Sequence, residues 1–357
     1  MPSDSIVLIH QPSTDTHVHP FPKPNLGAFD TPLRIQMTLR YLENSDVSGS
    51  YRKSAAPRAR LEDALTVHSP YLIHTVEIMS RIGSGELGDH AYASPDLLRS
   101  ALHALGGAKQ AANAIMEEET KHAFALVRPP GHHATSASPM GLCYFNNIAV
   151  AVRLLMKNQG IKRVSILDID SHFGNGTSEI FYADPSVQYV SVHEYDYENF
   201  GIGHYEEIGH GEGAGTNLNI PLVESSPDTS YESVVDRVVI PAIESFRPEL
   251  IAVSAGFDAH YTDPVGNMNV DSRTFWLLGN TVQRLVRDLS LQGSFWVLEG
   301  GYNPFALGPS IRASLDGLLG GPVPDLEDQT EREEHEMLVD SNNQVIEQVL
   351  ETHSKFL

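Results

Sequence analysis

The chain has 357 residues, 41% of them hydrophobic and 20% charged, enough to bury a large core in one α/β domain. Lys+Arg number 24 and Asp+Glu 46, a formal net charge of −22 that disfavours the phosphate contacts of a nucleic-acid binder and suits a soluble acidic surface. A single cysteine, Cys143, excludes an internal disulfide framework, and no stretch approaches the roughly 20 apolar residues of a membrane span, so a cytoplasmic protein without membrane or nucleic-acid partners is expected.

In chain order, β-branched runs alternate with amphipathic stretches. Ser5–His10 reads as a strand, Pro32–Leu42 and Leu97–Met116 as helices, and Ala123–Val127 as the next strand. A helix over Ala149–Lys157 leads to strands at Arg163–Leu167 and Gln188–Val192. Helix Tyr231–Phe246 repeats apolar residues three and four apart, with Pro241 as a kink point, before strand Leu250–Ser254. Helix Ser272–Leu289, strand Ser294–Leu298 and helix Ala306–Leu318 complete the series. The alternation predicts a single, mostly parallel sheet with helices on both faces.

Ligands in such sheets bind beyond the carboxyl ends of the strands. Here the strands run into unusual chemistry: Arg-Pro-Pro-Gly-His-His at 128–133, Asp-Ile-Asp-Ser-His at 168–172, Ala-Gly-Phe-Asp at 255–258 and Glu-Gly-Gly-Tyr at 299–302. Alternate residues of an extended segment face the same way, so Asp168, Asp170 and His172 can share one site. Adding Asp258 supplies three protein ligands for Zn²⁺ or Fe²⁺ and leaves a position for water. His132 and His133 suit general acid and base work near neutrality, and Tyr302, beside Gly300 and Gly301 that let its loop swing, suits donation to an oxyanion.

Seven ordered segments carry a resemblance: RPPGHHA at 128–134, MGLCYFNNIAVA at 140–151, DIDSHFGNGT at 168–177, VSVHEYD at 190–196, GAGTNLNIPL at 213–222, SAGFDAHYTDP at 254–264 and LEGGYN at 298–303. Over about residues 15–320 the chain resembles the histone deacetylase superfamily, acetylpolyamine amidohydrolases included, on the arginase/deacetylase α/β fold. It looks closer to class II and bacterial members, because Asn175 stands where class I members carry Asp. The resemblance implies that Asp170, His172 and Asp258 bind Zn²⁺, with Fe²⁺ as the alternative, that Asp168 holds His132 and Asn175 holds His133, and that Tyr302 polarises the scissile carbonyl. A histidine, His133 in preference, then takes a proton from water acidified at the metal, and an acetylated amine or acetyl-lysine yields acetate and free amine.

Further implied positions are Gly141 and Leu142 on the acyl tunnel, Asp89 as a rim acid and Arg34 behind the metal, where it could assist acetate. A K⁺ site would use Asp168, main-chain oxygens of Asp170 and His172, and Ser191 and Val192. Plain alternatives stand beside three of these: a buried ion pair for Arg34, a loop cap for Asp89, an ordinary strand residue for Ser191. The chain departs from the pattern at Phe173, where many members have a second histidine, at Leu142, where an aromatic usually lines the tunnel, and over 200–207, which lacks Pro-Gly-Thr-Gly. Asp258-Ala-His260-Tyr-Thr-Asp263 superficially resembles a binuclear manganese motif, but its second Asp is one residue too far, so one metal is expected. His17, His19 and His260 read as solvated in preference to rim contacts.

The reading divides the chain into a catalytic domain at 1–320 and a tail at 321–357. The tail begins as an acidic linker and ends in a helix capped by Ser341, with Val345, Ile346, Val349, Leu350 and Phe356 forming an apolar stripe. That stripe packs on its own body or, as the alternative, on a second subunit of a homo-oligomer.

Overall fold

A computed structural model describes residues 6–11, 17–19, 29–195, 201–326, 328, 332 and 334–357. Its main sheet has eight strands, all parallel: β1 (Ile6–His10), β2 (Tyr51–Ala55), β5 (His122–Leu126), β6 (Val164–Asp168), β7 (Val187–Glu194), β8 (Asn217–Leu222), β9 (Leu250–Ala255) and β10 (Ser294–Leu298). A small hairpin, β3 (Glu86–Gly88) and β4 (Ala91–Tyr92), stands apart. Strand order in the sheet is β2-β1-β5-β10-β9-β6-β7-β8. The six strands read from sequence are present, apart from Ser5, which lies outside the described residues. The two edge strands, β2 and β8, are additions.

Helices are α1 (Pro32–Glu43), α2 (Leu61–Ala64), α3 (Pro70–Ile82), α4 (Leu97–Met116), α5 (Asn147–Gln159), α6 (Asn175–Phe181), α7 (Asp228–Val234), α8 (Ile240–Phe246), α9 (Ser272–Asp288), α10 (Pro304–Leu318) and α11 (Glu336–His353). The long helix expected over Tyr231–Phe246 is three pieces, with a π turn at Val235–Val239 between α7 and α8. Pro241 removes an amide and crowds the preceding turn, and widening that turn to an Ile240 N–H to Val235 C=O bond absorbs the insult without breaking the axis. α3 was legible but unread: Ser69 caps it, Pro70 follows at N1, and Gly83 ends it in the left-handed region at φ 80°.

The inner strands are buried on both faces, as expected of a parallel sheet covered by helices. Alternation divides the core: Phe124, Val253 and Trp296 pack towards one side, while Ala125, Ala252 and Phe295 join residues of α4 and α5 on the other. Val345, Ile346 and Val349 of α11 belong to the first of these cores, so the tail helix seals the chain's own body. Ser341 does not cap it. The helix starts a turn and a half earlier, and the Ser341 hydroxyl donates back to the Met337 carbonyl at 2.8 Å. No helix among the described residues is long and apolar enough to cross a membrane.

Candidate active site

Four adjacent strands, β5-β10-β9-β6, deliver the candidate side chains from their carboxyl ends to one rim. Asp168 closes β6, and Asp170 and His172 follow in the next turns. Asp258 follows β9. His132 and His133 lie on the loop after β5, and Tyr302 on the loop after β10.

Asp170, His172 and Asp258 each offer one ligand atom, all within 4.8 Å of one another. His172 Nδ1 lies 3.1 Å from Asp170 Oδ1 and 2.9 Å from Asp258 Oδ2. Backbone amides fix both carboxylates: Gly300 N donates to Asp170 Oδ2 at 2.7 Å, and Ser171 N to Asp258 Oδ1 at 2.9 Å. Gly300 must be glycine, since a Cβ there would sit 2.3 Å from Asp258 Oδ2 and 2.6 Å from Asp170 Oδ2. Burial and then the neighbouring Asp170 charge push the Asp258 carboxyl up to about 6, despite the opposing pull of His172.

The two histidines stack tilted, centroids 4.1 Å apart, and each is oriented through Nδ1. His132 Nδ1 meets Asp168 Oδ2 at 3.1 Å, and His133 Nδ1 meets Asn175 Oδ1 at 2.7 Å. Both acceptors place the proton on Nδ1 and leave Nε2 for chemistry. Burial works against charge on either ring, and for His132 the carboxylates of Asp170 and Asp168 overturn it, raising the ring to about 10. His133 has a neutral amide as partner, and burial reinforced by His132 and His172 holds it well below the usual imidazole range. Asp168 also accepts the Tyr189 phenol at 2.9 Å, and pairs in register with Ser191 on β7, next to Val192. Ser191 Oγ itself lies 2.9 Å from His193 Nδ1.

A cavity of about 450 Å³ opens over this cluster, lined by His133, Gly141, Leu142, His172, Phe173, Val265 and Tyr302, with Asp89 and Glu194 among its acidic residues. A Cβ on Gly141 would meet the His133 ring at 2.4 Å, so the glycine lets the imidazole stand in the wall. Leu142 and Phe173 line the cavity at the departures noted in sequence, and Ile202 stands on the wall where the missing motif left no assignment. Phe200 of that stretch, and Asp196 of the VSVHEYD segment, lie outside the described residues. Tyr302 is buried, which drives its phenol well above its ordinary pKa and keeps it a donor.

Arg34 is buried and ion-paired: Nη1 donates to Asp30 Oδ1 at 2.9 Å, Nε to the Gly301 carbonyl at 2.7 Å and Nη2 to the Glu299 carbonyl at 2.6 Å, with the guanidinium 4.6 Å from the Tyr302 ring centroid. Two of the three solvated histidines are corrections. His17 is fully buried, 2.6 Å from Ser94 Oγ and stacked on Tyr92, because its ring fills the gap between Tyr92 and Tyr144. His260 is buried too, held at Nδ1 by Thr262 and at Nε2 by Asp328 of the tail, each at 2.9 Å. His19 remains partly exposed against Tyr92.

Sequence reasoning gave no role to Glu299, although it opens the Glu-Gly-Gly-Tyr run. Its Oε2 accepts Gly131 N at 2.5 Å and His132 N at 3.1 Å, so it pins the histidine loop, and burial lifts it to about 7.

A family model described as the histone deacetylase domain matches residues 29–318. A protein of Methanothermobacter thermautotrophicus named "Probable deacetylase" is 39% identical over 316 residues, covering 88% of this chain and 91% of its own. The "Histone deacetylase-like amidohydrolase" of Pseudomonas aeruginosa is 35% identical over 82% of this chain and 78% of its own, and "Histone deacetylase 14, chloroplastic" of Arabidopsis thaliana 33% over 80% and 72%. The crystal structure of an HDA15 HD domain superposes with a TM-score of 0.87 at 29% identity, covering 99% of this chain and 96% of that one. Fold, ordered motifs and the strand-end constellation thus agree, and the chain belongs to the histone deacetylase family, a hydrolase of amide bonds.

Proposed function

We propose that the chain is a Zn²⁺-dependent deacetylase that hydrolyses an N-acetyl amide, acetyl-lysine or a related acetylated amine, to acetate and free amine. One observation carries the reading: two adjacent histidines, oriented through Nδ1 by Asp168 and Asn175, stand beside the Asp170, His172 and Asp258 donors at a cavity that the Tyr302 phenol also lines. The donor set fits a divalent cation, because two buried carboxylates and an imidazole converge, and the burial and then the Asp170 repulsion that lift Asp258 are both offset by a cation between them. When bound, Zn²⁺ supplies a Lewis acid for the acyl oxygen and lowers the pKa of a water towards about 7.

The chain's own residues do the rest. His133, neutral and with Nε2 as its free acceptor, takes the proton from the attacking water. The Tyr302 hydroxyl donates to the oxygen that gains charge as the carbonyl becomes tetrahedral, a contact that strengthens on the way to the transition state. His132, charged against Asp168, adds a fixed positive charge beside the cluster. As the C–N bond breaks, the proton on His133 passes to the amine nitrogen. Acetate leaves, and every proton is accounted for without a covalent intermediate. Asp168, main-chain oxygens of Asp170 and His172, and Ser191 and Val192 would hold K⁺ behind this centre, and the single, buried Cys143 suits a reducing cytoplasm.

Asp89 and Glu194 at the cavity favour a second, narrower reading, an acetylated polyamine whose distal ammonium meets those carboxylates. A catalytically silent acyl-ligand binder on the same fold has no need of an oriented histidine pair. Acetate release by Zn²⁺-reconstituted protein, from an acetyl-lysine peptide and from an acetylated polyamine, separates the readings. Release is expected, and it is lost in Tyr302→Phe and Asp258→Ala. No release from either substrate by protein with bound metal overturns the proposal.

A further inference from the structure

We propose that Asp263 is the positioning residue for Tyr302, acting with Arg34 to clamp the Gly301–Tyr302 peptide between opposite charges. The inference rests on the deacetylase reading above.

Two features argue for it. Tyr302 follows Gly300 and Gly301, and Gly301 stands at φ 107°, so the backbone just before the tyrosine has the torsional freedom of glycine and no side chain to restrict it. Rotation there swings the phenol, and a reaction that needs its hydroxyl at one point cannot tolerate that. The two ends of one peptide unit are nevertheless held. The Gly301 carbonyl accepts from Arg34 Nε at 2.7 Å, and the Tyr302 N–H donates to Asp263 Oδ2 at 2.6 Å. A flip of that peptide would turn its oxygen towards the carboxylate and its N–H towards the guanidinium, unfavourable at both ends, so the charges select one orientation.

Asp263 reaches further. Its Oδ2 also accepts Asn303 N at 3.1 Å, and its Oδ1 accepts Val265 N at 3.0 Å and Gly266 N at 3.4 Å. Asn303 in turn caps α10 by accepting Phe305 N and donates Nδ2 to Thr262 Oγ1 at 2.7 Å. Asp263 lies five residues after Asp258 on the same loop, so one carboxylate couples the loop that carries a metal-ligand candidate to the loop that carries the phenol. It is not among the residues that line the cavity, which makes it a positioning residue.

The test compares Asp263→Ala and Asp263→Asn with wild type and Tyr302→Phe, on acetyl-lysine and trifluoroacetyl-lysine peptides, with zinc content and amide hydrogen exchange over 299–305 measured on each protein. The fluorines activate the carbonyl, so that substrate depends less on the tyrosine. Asp263→Ala is expected to lower kcat on the acetyl substrate by on the order of ten- to a hundredfold with KM little changed, below the cost of deleting an oxyanion donor outright. Its trifluoroacetyl-to-acetyl rate ratio rises as in Tyr302→Phe, zinc content stays at the wild-type level, and the Tyr302 and Asn303 amides exchange faster. Asp263→Asn, which keeps one carbonyl acceptor, falls between. Unchanged exchange at those amides, equal losses on both substrates, or loss of bound zinc overturns the proposal and leaves Asp263 as a prop for the ligand loop. A wild-type protein that releases no acyl group overturns the deacetylase reading instead, and the exchange rates then decide the clamp alone.

Discussion

Asn175→Asp tests the division of labour between the histidines. Asn175 Oδ1 lies 2.7 Å from His133 Nδ1, and the exchange of amide for carboxylate places a negative charge against that ring with little change of shape. Unit charges about 4 Å apart interact by roughly 4 kcal/mol at an effective dielectric near 20, an upper limit of about three pKa units for the imidazole. Burying the new carboxylate offsets part of this, so a rise of about one to two units is expected. The sign follows from the proposed role: as a base His133 accepts a proton only while neutral, so activity is lost as pH falls through its pKa. A higher pKa therefore moves the acid limb of kcat/KM to higher pH, while saturation with base above that limb restores the rate. The assay is the pH profile of acetate release for both proteins at equal zinc content. An active variant whose acid limb coincides with that of wild type would refute His133 as the base.

The other perturbations act on stability. Ile346→Ala on α11 removes a fully buried side chain from the main core and should cost about 2–5 kcal/mol in urea unfolding; a loss under 0.5 kcal/mol would mean that the tail helix does not seal this face. Glu299, lifted to about 7 by burial, binds a proton more tightly folded than unfolded, so it costs stability as pH rises from its ordinary value near 4.5 through 7. Glu299→Gln keeps an acceptor for Gly131 and His132 and should gain on wild type over that window, by up to about 3 kcal/mol; parallel stability curves would contradict the shift.

The chemistry was more legible in the sequence than the edges of the fold. Inner strands such as Leu250–Ala255, apolar but for Ser254, are buried because both faces are covered, and their carboxyl ends announce themselves by abrupt changes in residue type. Both missed strands are sheet edges. Tyr51–Ala55 carries Arg52 and Lys53 towards solvent, and Asn217–Leu222 contains Pro221 and two asparagines, composition that blunts an edge and conceals a strand. The asparagines have a use the pattern cannot reveal: Asn219 Nδ2 donates to the His204 carbonyl at 3.1 Å, and Asn217 Nδ2 to that of Glu207, tying down the loop beside Ile202 in the cavity wall.

The same limit explains which site candidates a sequence can offer. Asp170, His172, Asp258, the histidine pair and Tyr302 form an identifiable set because reactivity restricts residue type and each stands at a strand end. Asp263 and Glu299 act on backbone amides, and every non-proline residue has one, so no local pattern says which amide a carboxylate will meet. His17 and His260 were misread for a related reason: their partners, Tyr92 and Asp328, lie 75 and 68 residues away, and one of those belongs to the tail beyond the matched domain. Residues proposed to perform the reaction are therefore written locally, whereas those that hold them in place are specified by the fold. Changes among the latter should move the rate with little warning in sequence, and the Gly301–Tyr302 peptide, held by Arg34 267 residues away and Asp263 39 residues away, is where that sensitivity concentrates.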